Sequence, residues 1–105
     1  MRETKRSRLE AAGWRVGSVA EFLELTDEEV AFVEVKLALA RHLRTVRVQR
    51  GLTQTQVAEM VGSSQSRVAK MEAADDAVTL DLLVRTLLAL GATREEVGRV
   101  IATAA

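Results

Sequence analysis

Three observations predict an all-α chain. Threonine or serine recurs just ahead of apolar residues spaced at i, i+3, i+4 and i+7, with glutamate or glutamine three places on, the pattern that caps and starts helices. Glycine closes several of these runs, where a helix can end through a left-handed residue. No stretch alternates apolar and polar residues as a half-buried strand does, and the chain contains no proline. Together these divide the chain into a short N-terminal extension, residues 1–25, and a five-helix domain, residues 26–105.

In chain order, Met1 to Ala12 carries Arg2, Lys5, Arg6 and Arg8 against Glu3 and Glu10. It reads as a short helix ending at Gly13 or as a mobile arm, and in function either as a basic arm along DNA or as a frayed terminus. Trp14, the only tryptophan, sits between Gly13 and Gly17 and suits an anchor that pins a loop to a core. Ser18 with Glu21 caps a short helix whose apolar side is Val19, Phe22, Leu23 and Leu25.

Thr26-Asp27-Glu28-Glu29 is a second capping box, with acids in the first turn where the helix dipole favours them. The helix it starts extends as far as Arg50. Val30, Val33, Leu37 and Ala40 form one stripe on it, and Leu39, Leu43 and Val46 another. Two stripes predict two contacts: the later one belongs to the domain core, the earlier one to the extension or a partner. His42 falls among arginines on the polar side and is expected at the surface.

After Gly51, Thr53 with Gln56 begins a short helix carrying Val57, Ala58 and Val61, and Gly62 ends it. Ser64 caps a second short helix, with Val68 and Met71 turned inward. Two short capped helices about a glycine turn are the helix-turn-helix pattern. The second helix of such a motif enters the major groove of DNA. Its outer side here is Gln65, Ser66, Arg67 and Lys70. Glutamine can pair bidentately with adenine, arginine or lysine with guanine, and serine with either. The competing reading is the solvated face of an ordinary helical bundle.

Ala73 to Val78 reads as a loop with Asp75 and Asp76. Thr79 caps the next helix, with Leu80, Leu83, Leu87 and Leu90 as its core stripe and Gly91 as its stop. Leu82 and Leu88 lie off that stripe, so this helix is either fully buried or at an interface. Thr93 with Glu96 caps a last helix, whose apolar side is Val97, Val100 and Ile101.

Composition narrows the function. At 105 residues the chain has room for one domain with an appendage. It has no cysteine and one histidine, which excludes disulfides, thiolate metal sites and multi-histidine metal sites. No apolar run approaches membrane-spanning length, so a cytoplasmic protein is expected. Net charge is zero but segregated. Ser18 to Glu34 holds six acids and no base, whereas Arg41 to Glu72 holds six basic residues against two acids. Local lysine and arginine, more than the total, govern DNA affinity.

The segment Leu39 to Gly91 resembles the Cro and phage-repressor (Xre-type) helix-turn-helix family. Arg47-Val48-Gln49-Arg50-Gly51-Leu52-Thr53-Gln54, Gly62-Ser63-Ser64-Gln65-Ser66-Arg67-Val68 and Thr79-Leu80-Asp81 through Leu90-Gly91 carry the likeness. It implies a five-helix DNA-binding domain acting as a homodimer on a palindromic operator, with no cofactor. Gln65, Ser66 and Lys70 match base-reading positions, and Gln54 matches a phosphate contact. Arg47 and Glu72 match a buried ion pair. With Ser64 and Arg67 from the outer helix these make the candidate DNA site. The candidate dimer surface is Leu82, Leu88, Val97, Val100 and Ile101; the alternative is that these residues close a monomer core.

Within that family the extension Gly13 to Leu25 followed by Thr26-Asp27-Glu28-Glu29, and the later Ser64-Gln65-Ser66-Arg67-Val68-Ala69-Lys70-Met71-Glu72, are similar to HigA-like antitoxins of type II toxin–antitoxin modules. That likeness implies pairing with a RelE-like mRNA-cleaving toxin. Trp14, Phe22, Glu28 and Glu29 are then the candidate toxin surface, since ribonucleases that hold RNA tend to be basic and the stretch Glu21 to Glu34 is acidic; the alternative is a solvated acidic face. The rival from another class is a helical interaction module that does not touch DNA. An enzyme is the weakest reading: there is no nucleophile beside a base and no phosphate-cradling glycine loop. The position of Glu28 and Glu29 in a first helical turn accounts for them without catalysis.

Overall fold

A computed structural model of the chain describes residues 24–104. The basic arm, Trp14 and the capped helix around Phe22 lie outside them. Among the described residues there are five helices and no strand. They are α1 (Asp27–Gln49), α2 (Gln54–Val61), α3 (Gln65–Glu72), α4 (Leu80–Ala89) and α5 (Arg94–Ala102). No described helix is long and apolar enough to cross a membrane.

The chain divides between Glu34 and Val35 into two units, and α1 runs through the division. In the first unit, the Thr26 hydroxyl accepts from the Glu29 backbone N–H at 3.2 Å. The Glu29 carboxylate accepts from the Thr26 N–H at 2.8 Å, which completes the capping box. Phe32 stands 53% exposed. With Leu25, Val33, Glu28 and Glu29 it lines an open hollow of about 350 Å³.

The second unit holds one hydrophobic core. From α1 it takes Leu39, Ala40, Leu43 and Val46; from α2, Val57 and Ala58; from α3, Val68 and Met71; and from α4, Leu83 and Leu87, followed by Leu90. Each fully buried leucine contributes roughly 2 kcal/mol, and truncating one to alanine costs about 2–5 kcal/mol. Ala40 thus belongs with the core rather than with the earlier stripe of α1, and Val35 packs beside it. Val78, in the loop before α4, is also buried.

The motif itself is set by local chemistry. Thr53 and Gln56 exchange hydrogen bonds at 3.0 and 2.8 Å as a full capping box. Gly62 ends α2 at φ +69°, and the Ser63 N–H returns to the Ala58 carbonyl at 2.8 Å. A Cβ at Gly62 would meet nothing within 4 Å, so conformation alone, not space, calls for glycine. Ser64 then caps α3 by accepting from the Arg67 N–H at 3.1 Å. Thr79 does the same for α4.

Three expectations change at α5 and its contacts. Thr93 caps it through the Glu96 N–H at 3.0 Å, but the Glu96 carboxylate does not return to the cap. It meets His42 Nε2 on α1 at 2.5 Å. His42 is accordingly half-buried, not a surface residue among arginines. Val97 is 6% exposed and belongs to the core, so it closes the monomer and is unavailable to a partner copy. Leu82 and Val100 pack against that core. Leu88 and Ile101 remain exposed, at 41% and 39%.

Candidate nucleic-acid interface

Arg47, in the last turn of α1, is the anchor of the site. Its guanidinium donates from Nε to Glu72 Oε2 at 2.5 Å and from Nη2 to Glu72 Oε1 at 3.0 Å. Its Nη1 donates to the Leu52 carbonyl at 3.0 Å. The side chains are 15% and 6% exposed. A planar fork matches a carboxylate bidentately, and the third bond fixes the chain entering α2. The Glu72 hydrogen bond raises the Arg47 pKa, against a smaller opposing effect of burial. Arg47 therefore stays charged at any pH the fold survives. The pair ties the end of α1 to the end of α3 across 25 residues.

Gln54 extends this link outward. Its amide donates to Glu72 Oε1 at 3.2 Å, and its carbonyl oxygen accepts from the Gln65 amide at 2.7 Å. A chain of hydrogen bonds thus joins the buried arginine to the first residue of α3: Arg47, Glu72, Gln54, Gln65. The family likeness implies a phosphate contact for Gln54; the structure places its amide in this relay. Nothing at the spacing of these residues signalled the link, because Gln54 and Glu72 lie 18 residues apart.

Gln65, Ser66, Arg67 and Lys70 are all exposed on α3, opposite the buried Val68 and Met71. Ser64 is exposed too, but its hydroxyl is committed to the cap. The loop after α3 runs beside this face: Ala77 and Val78 line a cleft of about 230 Å³ together with Ser64, Ser66, Arg67 and Lys70. No feature of the sequence marks this loop as a neighbour of the outer face of α3. Its shape rests on the Asp75 carboxylate, which accepts from the Ala77 N–H at 2.9 Å, and on Ala74 at φ +54°.

Charge on this unit is redistributed by pairing. Arg47 and Glu72 neutralise one another. Arg50 donates to the Leu90 carbonyl, where it satisfies an orphan acceptor at the C-terminal end of α4. Arg41, Arg44, Arg67 and Lys70 remain exposed. Glu28 and Glu29 lie on the first unit, at the hollow beneath Phe32.

Compared with known proteins, residues 38–100 match the model of a family described as a helix-turn-helix domain. No curated protein and no solved structure matches the chain.

Proposed function

Because the chain belongs to a helix-turn-helix domain family, we propose that it is a sequence-specific DNA-binding repressor of the Xre type that controls its own gene. The observation that carries this is the outer face of α3. Four exposed polar residues, two of them cationic and none acidic, project from a helix whose first residue is braced by a hydrogen-bond relay to a buried ion pair. Bracing matters because a side chain that reads a base edge must hold its rotamer before the DNA arrives. In this reading α3 lies in the major groove, Gln65 and Ser66 meet base edges at its N-terminus, and Arg67 and Lys70 reach guanine or phosphate.

A palindromic operator calls for two copies. Leu88 and Ile101 are the exposed apolar residues on the last two helices that a homodimer would cover. The protein is further read as a cytoplasmic antitoxin. The acids of the first helical turn and exposed Phe32 offer a basic RelE-like toxin both charge and an apolar seat.

The test is binding to DNA upstream of the gene, titrated with salt and set against scrambled DNA. Tight, sequence-dependent binding that falls steeply with salt supports the repressor. Weak binding that ignores sequence moves the weight to an interaction module. Co-expression with the product of the adjacent gene tests the antitoxin role, and absence of a complex there counts against it.

A further inference from the structure

Beside the turn of the motif lies a cleft of about 450 Å³, bounded by α2, α3 and α4. Part of its lining is apolar, including fully buried Met71 and half-buried Leu82. Two hydroxyls also line it. Ser63 Oγ is buried and has no hydrogen-bond partner. Thr86, 3% exposed, donates only to the Met71 sulfur at 3.4 Å. A thioether is a weak acceptor, so neither hydroxyl has a partner that offsets the cost of burying it.

Two guanidiniums complete the cleft. The Arg67 guanidinium makes no hydrogen bond or ion pair among the described residues; its backbone N–H is engaged in the Ser64 cap. Arg85 pairs with Asp81 one turn back at 3.4 Å, an exposed contact that holds it weakly. No carboxylate is among the lining residues. Arginine forks bind oxyanions bidentately, the two hydroxyls line the same cleft, and the apolar lining suits a compact organic body. The volume falls in the range of small-molecule sites.

We infer that this cleft binds a small organic anion, a phosphate or carboxylate carried on an apolar or planar body. Its ligand draws Arg67 away from DNA, a consequence that rests on the repressor reading above. A DNA phosphate is the poorer occupant. A backbone phosphate carries no apolar or planar body to set against the apolar part of the lining.

The test titrates the full chain with phenyl phosphate, benzoate and inorganic phosphate at constant ionic strength, following backbone amide shifts. Saturable shifts at Ser63, Arg85 and Thr86 are expected. Phenyl phosphate or benzoate should bind at least tenfold tighter than inorganic phosphate, and the stronger of the two identifies the preferred head group. Arg85→Gln should weaken binding tenfold or more without changing the melting temperature, and Ser63→Ala should weaken it less. Shifts that never saturate, that spread over every arginine and lysine, or that persist in Arg85→Gln overturn the proposal. With DNA present, the tighter ligand should lower operator affinity of the wild type and not of Arg85→Gln. Because the shifts are read without DNA, failure of the repressor reading leaves them to decide the cleft alone. Loss of DNA affinity in Arg85→Gln with no ligand shifts overturns the cleft and assigns Arg85 to the DNA surface.

Discussion

From α1, Arg47 reaches Glu72 at the end of α3, and His42, five residues earlier, reaches Glu96 in α5. The first pair is a two-bond fork, with side chains 15% and 6% exposed, and Arg47 adds a third bond to the Leu52 carbonyl. The second is a single hydrogen bond, with side chains 23% and 30% exposed. One helix thus holds two neighbours by different chemistry. The link to α3 is buried, geometrically specific and indifferent to pH from the arginine side. The link to α5 is wetter and contains a group that titrates in the acid range. The more closed and geometrically specific link thus runs to α3, while α5 contributes Val97 to the core beside its single ion pair.

The largest test of that contrast is Arg47→Ala. It strands the Glu72 carboxylate in a site that is nearly closed to water and should cost about 3 kcal/mol of folding stability. Denaturant unfolding reads this directly, and an unchanged midpoint would refute the buried-pair role.

Next come Gln65→Ala and Lys70→Ala. Each should weaken operator binding by about 1–3 kcal/mol and leave the melting temperature unchanged, since neither side chain is buried. Gln54→Ala sharpens the point. If the relay braces Gln65, the double variant Gln54→Ala/Gln65→Ala departs from additivity in operator binding by more than about 0.5 kcal/mol. Strict additivity would mean that Gln54 acts separately, as a phosphate contact.

The smallest effect is expected at the second pair. The His42 hydrogen bond holds the Glu96 carboxyl below its ordinary 4.5, helped by the Thr93 backbone and Arg99 and opposed by partial burial. A carboxyl depressed in the folded state stabilises the fold above its unfolded pKa and loses that contribution as pH falls through the folded value. Glu96→Gln should therefore melt slightly below wild type at pH 7, and the gap should close as pH drops below about 4.5. A gap that persists to pH 3 would sink the assignment.

Much of the candidate site was legible because its signals are local. Thr53 with Gln56, Gly62 and Ser64 fix the two motif helices through bonds spanning three to five residues, and the outward face of α3 follows from helical period. The pairing of Arg47 with Glu72 was a different matter: it came from likeness to a family, and no spacing rule connects positions 25 apart.

By itself, then, the sequence determined the all-α class, where α1 to α5 start, which glycines stop them, and which residues of α3 face out. Capping bonds and helical periodicity act over a few residues and leave little else to decide. Only the tertiary structure decided that Glu96 leaves its own cap for His42, 54 residues away. It alone turned Gln54 into a bridge, took Val97 from the candidate dimer surface into the core, and set Ser63 and Thr86 in one cleft with Arg67 and Arg85. Each of these depends on which helices pack together. Packing chooses among side-chain partners that local sequence leaves equally open.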